Sequence, residues 1–174
     1  MNQSRIIPLL LLGVMSISLS PIVARSLESS ATVIAFWRMF LSCFFLWGYS
    51  LLYYNNFQRL SFSNRIRTVS SGIFLGIHFL LFFQAVKITT IANATFLGTL
   101  APFFTLIIEL IFFRRNYRRI IYLGLIIALI GITLVLINDF DMSSKYTLGN
   151  IYAILCSLSI AISLLIAEKV RDTA

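Results

Sequence analysis

Six stretches of this chain are each apolar for about the thickness of a bilayer, and little sequence is left between them. They run about Ile6–Ala24, Ala31–Leu52, Thr68–Val86, Ile88–Phe113, Ile120–Ile137 and Leu148–Ala167. A membrane helix needs roughly 20 mostly apolar residues. Membrane strands span about ten residues and alternate in character, which these runs do not. The connections are too short to build a soluble domain. An all-α membrane protein of six transmembrane helices is therefore expected. Composition agrees: 59% of the 174 residues are hydrophobic and 11% charged, against about 45–50% and about 25% in soluble domains. The first span has a second reading as a secretory signal, since Arg5 precedes an apolar stretch ending at Ala24. Its length and the poor Ile22/Ala24 cleavage pair favour a retained helix.

The net charge of +8 raises nucleic acid as a partner. The positive residues lie between apolar runs and form no basic face, so that partner is not expected. Their distribution sets a topology instead. If six helices alternate, Arg5, Arg59, Arg65, Arg67, Arg114, Arg115, Arg118, Arg119, Lys169 and Arg171 share one side. Arg25, Lys87 and Lys145 share the other. A ten-to-three split puts both ends in the cytoplasm and argues against dual topology. The "RRNYRR" connection reads as a topology determinant touching anionic lipid.

Several kinds of chemistry are disfavoured. The six acidic residues are scattered and His78 is the single histidine, so neither a catalytic set nor a metal-ligand cluster is expected. No phosphate-binding glycine loop with its Lys-Ser/Thr pair is present, so direct ATP use is not expected. No cofactor is implied. Cys43 and Cys156 each sit inside an apolar run and read as small hydrophobes.

Polar residues inside the spans are the candidates for function. Arg38 lies about 10 Å inside helix two at about 1.5 Å per residue. A charge at that depth costs several kcal/mol on most scales and usually faces a cavity or a partner. It shares a helical stripe with Ala31, Ala35, Ser42 and Tyr49, opposite Phe, Leu and Val. It is either an anchor for an anionic or carbonyl group of a solute, or a structural Arg that tethers helix ends. In the fourth span Thr95, Thr99, Pro102 and Glu109 fall on one stripe. Pro102 lacks an N–H and crowds the Gly98 carbonyl, which predicts a cavity-lining kink. Glu109 is either ion-paired with Arg114 or Arg115 or a coupling carboxylate. His78 could relay a proton, bond a solute or join two helices; Gln84 and Asn93 line an entrance or bond a neighbouring helix. Gly72 with Gly76, and Gly124 with Ala128 and Gly131, read as close-packing surfaces.

At an offset of 143 residues, Gly13, Ser16, Ile17, Ser20 and Ala24 match Cys156, Ser159, Ile160, Ser163 and Ala167. The spacing keeps each set on one helical stripe. This predicts a five-helix unit over 1–142 and the first helix of a second copy over 143–174. An odd number of crossings inverts the second copy. Ser16 and Ser20 thereby join the candidate cavity residues.

Four stretches also carry a family resemblance. "GVMSISLSPIVARSLESSATVIAFWRMFLS", "FFQAVKITTIANATFLGTLAPFFTLI", "YLGLIIALIGITLVL" and "GNIYAILCSLSIAISLLIAEKV" resemble, in order, the amino-terminal half of drug/metabolite transporters with the EamA domain. The resemblance implies ten helices in two inverted copies, a multi-pass place in the plasma or bacterial inner membrane, and movement of small metabolites, commonly as export. It implies lipid and a small-molecule substrate as partners, with a missing second repeat or a homodimer mate completing the assembly. The chain departs from the family pattern at Arg115, where a Gly-Glu pair is common, and in lacking an aromatic near Gly13. A non-transporting scaffold or an inactive remnant of such a transporter is the competing expectation, since the sequence stops after "EKVRDTA".

Overall fold

The computed structural model describes residues 3–53, 60–136 and 143–173. Arg59, Ile137 and residue 142 of the expected repeat boundary lie outside the described residues. The described chain forms helices α1 (Gln3–Ser26), α2 (Ala31–Tyr53), α3 (Phe62–Ile88), α4 (Ile91–Gly98), α5 (Ala101–Ile111), α6 (Arg119–Leu136) and α7 (Thr147–Thr173). A short 3₁₀ turn over Ser144–Tyr146 leads into α7. No strand occurs among the described residues.

Caps set several boundaries. The Ser61 hydroxyl accepts from the Asn64 amide at 3.3 Å, so α3 starts at Phe62 and not at the expected Thr68. At its other end the Thr89 amide bonds the Ala85 carbonyl at 2.9 Å. The Thr90 hydroxyl then accepts from the Asn93 amide at 3.0 Å and opens α4. Ile88 therefore closes the third helix instead of opening the fourth span.

The fourth span is broken, not merely kinked. Thr99 and Leu100 separate α4 from α5, and Pro102 lies in the first turn of α5. A proline is tolerated there because first-turn amides have no intrahelical partner. The Thr99 amide reaches the Thr95 and Phe96 carbonyls at 3.0 and 3.2 Å, and the Phe103 amide reaches Leu100 at 3.0 Å. The Leu97 carbonyl, next to the break, accepts the Ser157 hydroxyl from α7. That carbonyl otherwise has a long 3.4 Å bond from the Leu100 amide, and a weakly paired carbonyl at membrane depth needs such a partner.

Taking α4 and α5 as one broken helix, the chain is a six-helix, all-α membrane protein. Four stretches among the described residues are long and apolar enough to cross a bilayer: Ala31–Leu52, Phe62–Ile88, Ile91–Ile111 and Ser144–Asp172. Leu10–Ser26 and Arg119–Gly131 are apolar but shorter. A polar turn cuts into the start of α1, and α6 runs to the edge of the described residues.

The axis of the assembly is the pair α3 and α7, the most extensively packed helices. The half-helices α4 and α5 lie against α7, and α1 and α2 lie against α3. Small side chains at the crossings let the backbones approach: Ala24, Ala31, Ala35, Ala85, Ala94 and Ala153 are buried around Phe83, Val86 and Leu97. Gly149 marks the tightest approach, since a Cβ there would lie 2.6 Å from Thr89 Cβ. By contrast, Gly72, Gly76, Gly124 and Gly131 have open space where a Cβ would stand, so among the described residues no side chain packs closely on these glycines. Large apolar side chains on α1, α2 and α6, such as Leu12, Phe45, Trp47 and Ile127, are exposed and suit acyl chains.

Candidate functional site

The polar residues of the spans gather in three places. The first is a cavity of about 400 Å³ bounded by α1, α2, α3 and α4. Ser18, Ser20, Arg38, His78, Thr95 and Thr99 bring its polar atoms, and Ile17, Ile22, Phe79, Phe82 and Ile91 its apolar wall. Arg38 Nη1 donates to Ser20 Oγ at 2.6 Å. Its guanidinium carbon sits 4.6 Å from the centre of the Phe79 ring and 5.7 Å from that of Phe83. Cation–π contact of this kind offsets part of the cost of burying the charge. Among the described residues no carboxylate pairs with Arg38.

His78 is held by α7. Its Nδ1 lies 3.0 Å from the Cys156 carbonyl oxygen and 3.1 Å from Cys156 Sγ. A carbonyl only accepts, so Nδ1 carries the proton and Nε2 of a neutral ring is left as an acceptor. Thr95 and Thr99 spend their hydroxyl protons on carbonyls of their own helix, Ile91 and Phe96 respectively. Their oxygens keep lone pairs for the cavity.

The second place joins α3, α4 and α7 at one end of the bundle. Asn150 Oδ1 accepts from Thr89 Oγ1 at 2.8 Å and from Asn93 Nδ2 at 2.9 Å. Arg25 Nη1 donates to the Thr89 carbonyl at 2.7 Å, and Lys87 Nζ to the Leu27 carbonyl. Asn93 is fully buried here and does not border the Arg38 cavity.

The third place is the opposite end. Arg115 Nη1 lies 2.7 Å from Glu109 Oε1 and 2.9 Å from Glu168 Oε1. Bonds to Glu168 and Tyr117 push the Arg115 guanidinium further up, and a bond to the Glu109 carboxylate pushes the Tyr117 phenol up. Arg114 precedes this cluster with a positive φ of 49°. A second cavity of about 500 Å³ opens beside it, bounded by α5, α6 and α7 and including Pro102, Glu109 and Tyr117.

The expected stripe Thr95–Thr99–Pro102–Glu109 is thus divided. The break sends its first two members to the Arg38 cavity and its last two to the other cavity. Ser16 and Ser42 are exposed and border neither cavity, although Ser16 lies one turn from Ser20. Ser16 returns its hydroxyl proton to the Leu12 carbonyl at 2.8 Å. Asn150, Ser157 and Glu168 were not singled out from sequence. Each lies on the last helix and acts on a residue at least 53 positions earlier, a pairing that local periodicity does not carry.

No curated protein and no solved structure matches the chain. The profile of the EamA-like transporter family matches residues 4–137, which takes in α1 to α6 and both ends of the Arg38 cavity. The chain therefore belongs to the EamA-like transporter family.

Proposed function

We propose that the protein carries a small organic metabolite across the cytoplasmic membrane as a secondary transporter, in the export direction, with the Arg38 cavity as its solute site. Family membership makes it a multi-pass membrane protein of a transporter family, and transporters of this kind are not enzymes. The observation that carries the finer reading is a guanidinium within a span, offset by a hydroxyl and two aromatic faces but by no carboxylate of the described chain. Broken helices commonly border solute sites at mid-membrane depth, and the Thr99–Leu100 break borders this one.

The same reading takes 1–142 as a first five-helix repeat and 143–174 as the start of an inverted second copy, with alternating access arising between the two. The charge distribution supports cytoplasmic termini. Efflux of a labelled metabolite pool from cells making the full chain, with and without a co-expressed second repeat, tests the proposal. Arg38→Ala is expected to abolish efflux at unchanged membrane abundance. Efflux by Arg38→Ala equal to wild type would remove the Arg38 cavity as the solute site, and no efflux by wild type under either condition would leave the scaffold reading standing.

A further inference from the structure

The Arg38 cavity has an unusual balance of hydrogen-bonding groups, and that balance points to a class of solute. Its one formal charge is positive. Arg38 spends Nη1 on Ser20 and keeps further N–H donors with no carboxylate among the described residues to receive them. A guanidinium in that state suits a carboxylate, which it can grip with two parallel bonds. The rest of the polar wall accepts. His78 Nδ1 is committed to the Cys156 carbonyl, so Nε2 offers a lone pair. Nε2 has no partner among the described residues, yet no buried side-chain nitrogen or oxygen among them lacks one. It is therefore reached by open space, and His78 borders the cavity. Ser18, Thr95 and Thr99 likewise present oxygens whose protons are already used. The remaining wall, from Ile17 to Phe82, is apolar and aromatic.

We infer that this cavity selects small carboxylates that bear an apolar body and a neutral hydrogen-bond donor beside the carboxylate, 2-hydroxy acids with aromatic or branched side chains fitting best. The carboxylate meets Arg38, the hydroxyl donates to His78 Nε2, and the apolar body lies against Phe79 and Phe82. An amino acid is a poorer fit. Its ammonium would stand near Arg38 in a wall with no acidic side chain to offset it. This assignment rests on the cavity being the solute site. The same anionic chemistry could come from a lipid headgroup, so the test separates the two sources.

The test measures thermal stabilisation of the full chain in phosphatidylcholine nanodiscs by 3-phenyllactate, 3-phenylpropionate, phenylalanine and phenylalaninol. These share one ring and differ in charge and donor. Saturable stabilisation by 3-phenyllactate is expected, with half-saturation by 3-phenylpropionate about tenfold weaker, the loss of one net hydrogen bond. Arg38→Gln should abolish both responses, and Arg38→Lys should retain a weakened one. His78→Leu should lower 3-phenyllactate to the level of 3-phenylpropionate and leave the latter unchanged, which a merely unfolded variant would not do. Tighter binding of phenylalaninol or phenylalanine overturns the solute class while the carrier reading survives. Loss of the wild-type response when phosphatidylglycerol replaces phosphatidylcholine assigns the cavity to a headgroup and overturns the inference. No response to any compound overturns both the class and the cavity as solute site.

Discussion

Arg115, in the connection after α5, reaches Glu168 near the end of α7, with Nη1 2.9 Å from Oε1. The same nitrogen lies 2.7 Å from Glu109, so one guanidinium ties the end of the broken helix to the last helix. The two carboxylates differ in burial: the Glu109 side chain is 9% exposed and that of Glu168 29%. Water screens the second pair more than the first. Glu109→Ala should therefore lower the melting temperature more than Glu168→Ala, and Arg115→Ala should lower it at least as much as either. Differential scanning fluorimetry in one detergent checks the ranking; equal effects of the two glutamates would refute it.

Tyr117 adds a pH dependence. Its phenol is bonded to Glu109, which raises its pKa above the ordinary value of 10.0. A group whose folded pKa is raised contributes stability that is whole below the unfolded value and is lost as pH rises through the folded one. Wild type should therefore melt above Tyr117→Phe at pH 7 to 9, with the gap closing only above about pH 10. No gap between pH 7 and 9 would show that the phenol does not donate to Glu109.

Asn150 holds two buried donors at once. Replacing it with Leu strands the fully buried Thr89 hydroxyl and takes from the fully buried Asn93 amide its bond to Oδ1. An unsatisfied buried group costs about 1–3 kcal/mol. Asn150→Leu should be strongly destabilising in unfolding titrations, whereas Asn150→Asp keeps the accepting oxygen and should cost less. Equal losses would mean that the side chain acts by shape alone.

Accessibility separates cavity from lipid. In a Cys43→Ser background, with Cys156 buried, cysteines at Thr95 and Thr99 should react with a membrane-impermeant maleimide. Cysteines at Ser16 and Ser42 should not, because those positions are exposed away from both cavities and would meet acyl chains. Reaction at Ser42 as fast as at Thr95 would remove the distinction.

Helix identity was readable from apolar run length, because a bilayer fixes how long such a run must be. Arg38 and His78 stand out in the sequence because a charged or ionisable group inside an apolar span needs a purpose, whereas Ser20 enters only through the repeat match. The two-residue break was less readable. Pro102 announces a disturbance, but the Ser157 bond that meets the Leu97 carbonyl comes from α7, 60 residues later. Arg115 looked like a departure from a family pattern, and its role became visible only with Glu168 in place. The stripe through Thr95 and Glu109 assumed an unbroken helical period, and the break invalidates that assumption.

The pairing of α3 with α7 has a consequence for biogenesis. His78 and Ser71 on α3 find their partners at Cys156 and Ser163, 78 and 92 residues downstream. At a synthesis rate of about 5–20 residues per second, α3 waits roughly 4–20 seconds before its partner emerges from the ribosome. Through that interval its imidazole and hydroxyls sit at the translocon or in lipid without their final bonds. A membrane chaperone or insertase that shields α3 would act in that window, and slowing translation between the two helices would lengthen it.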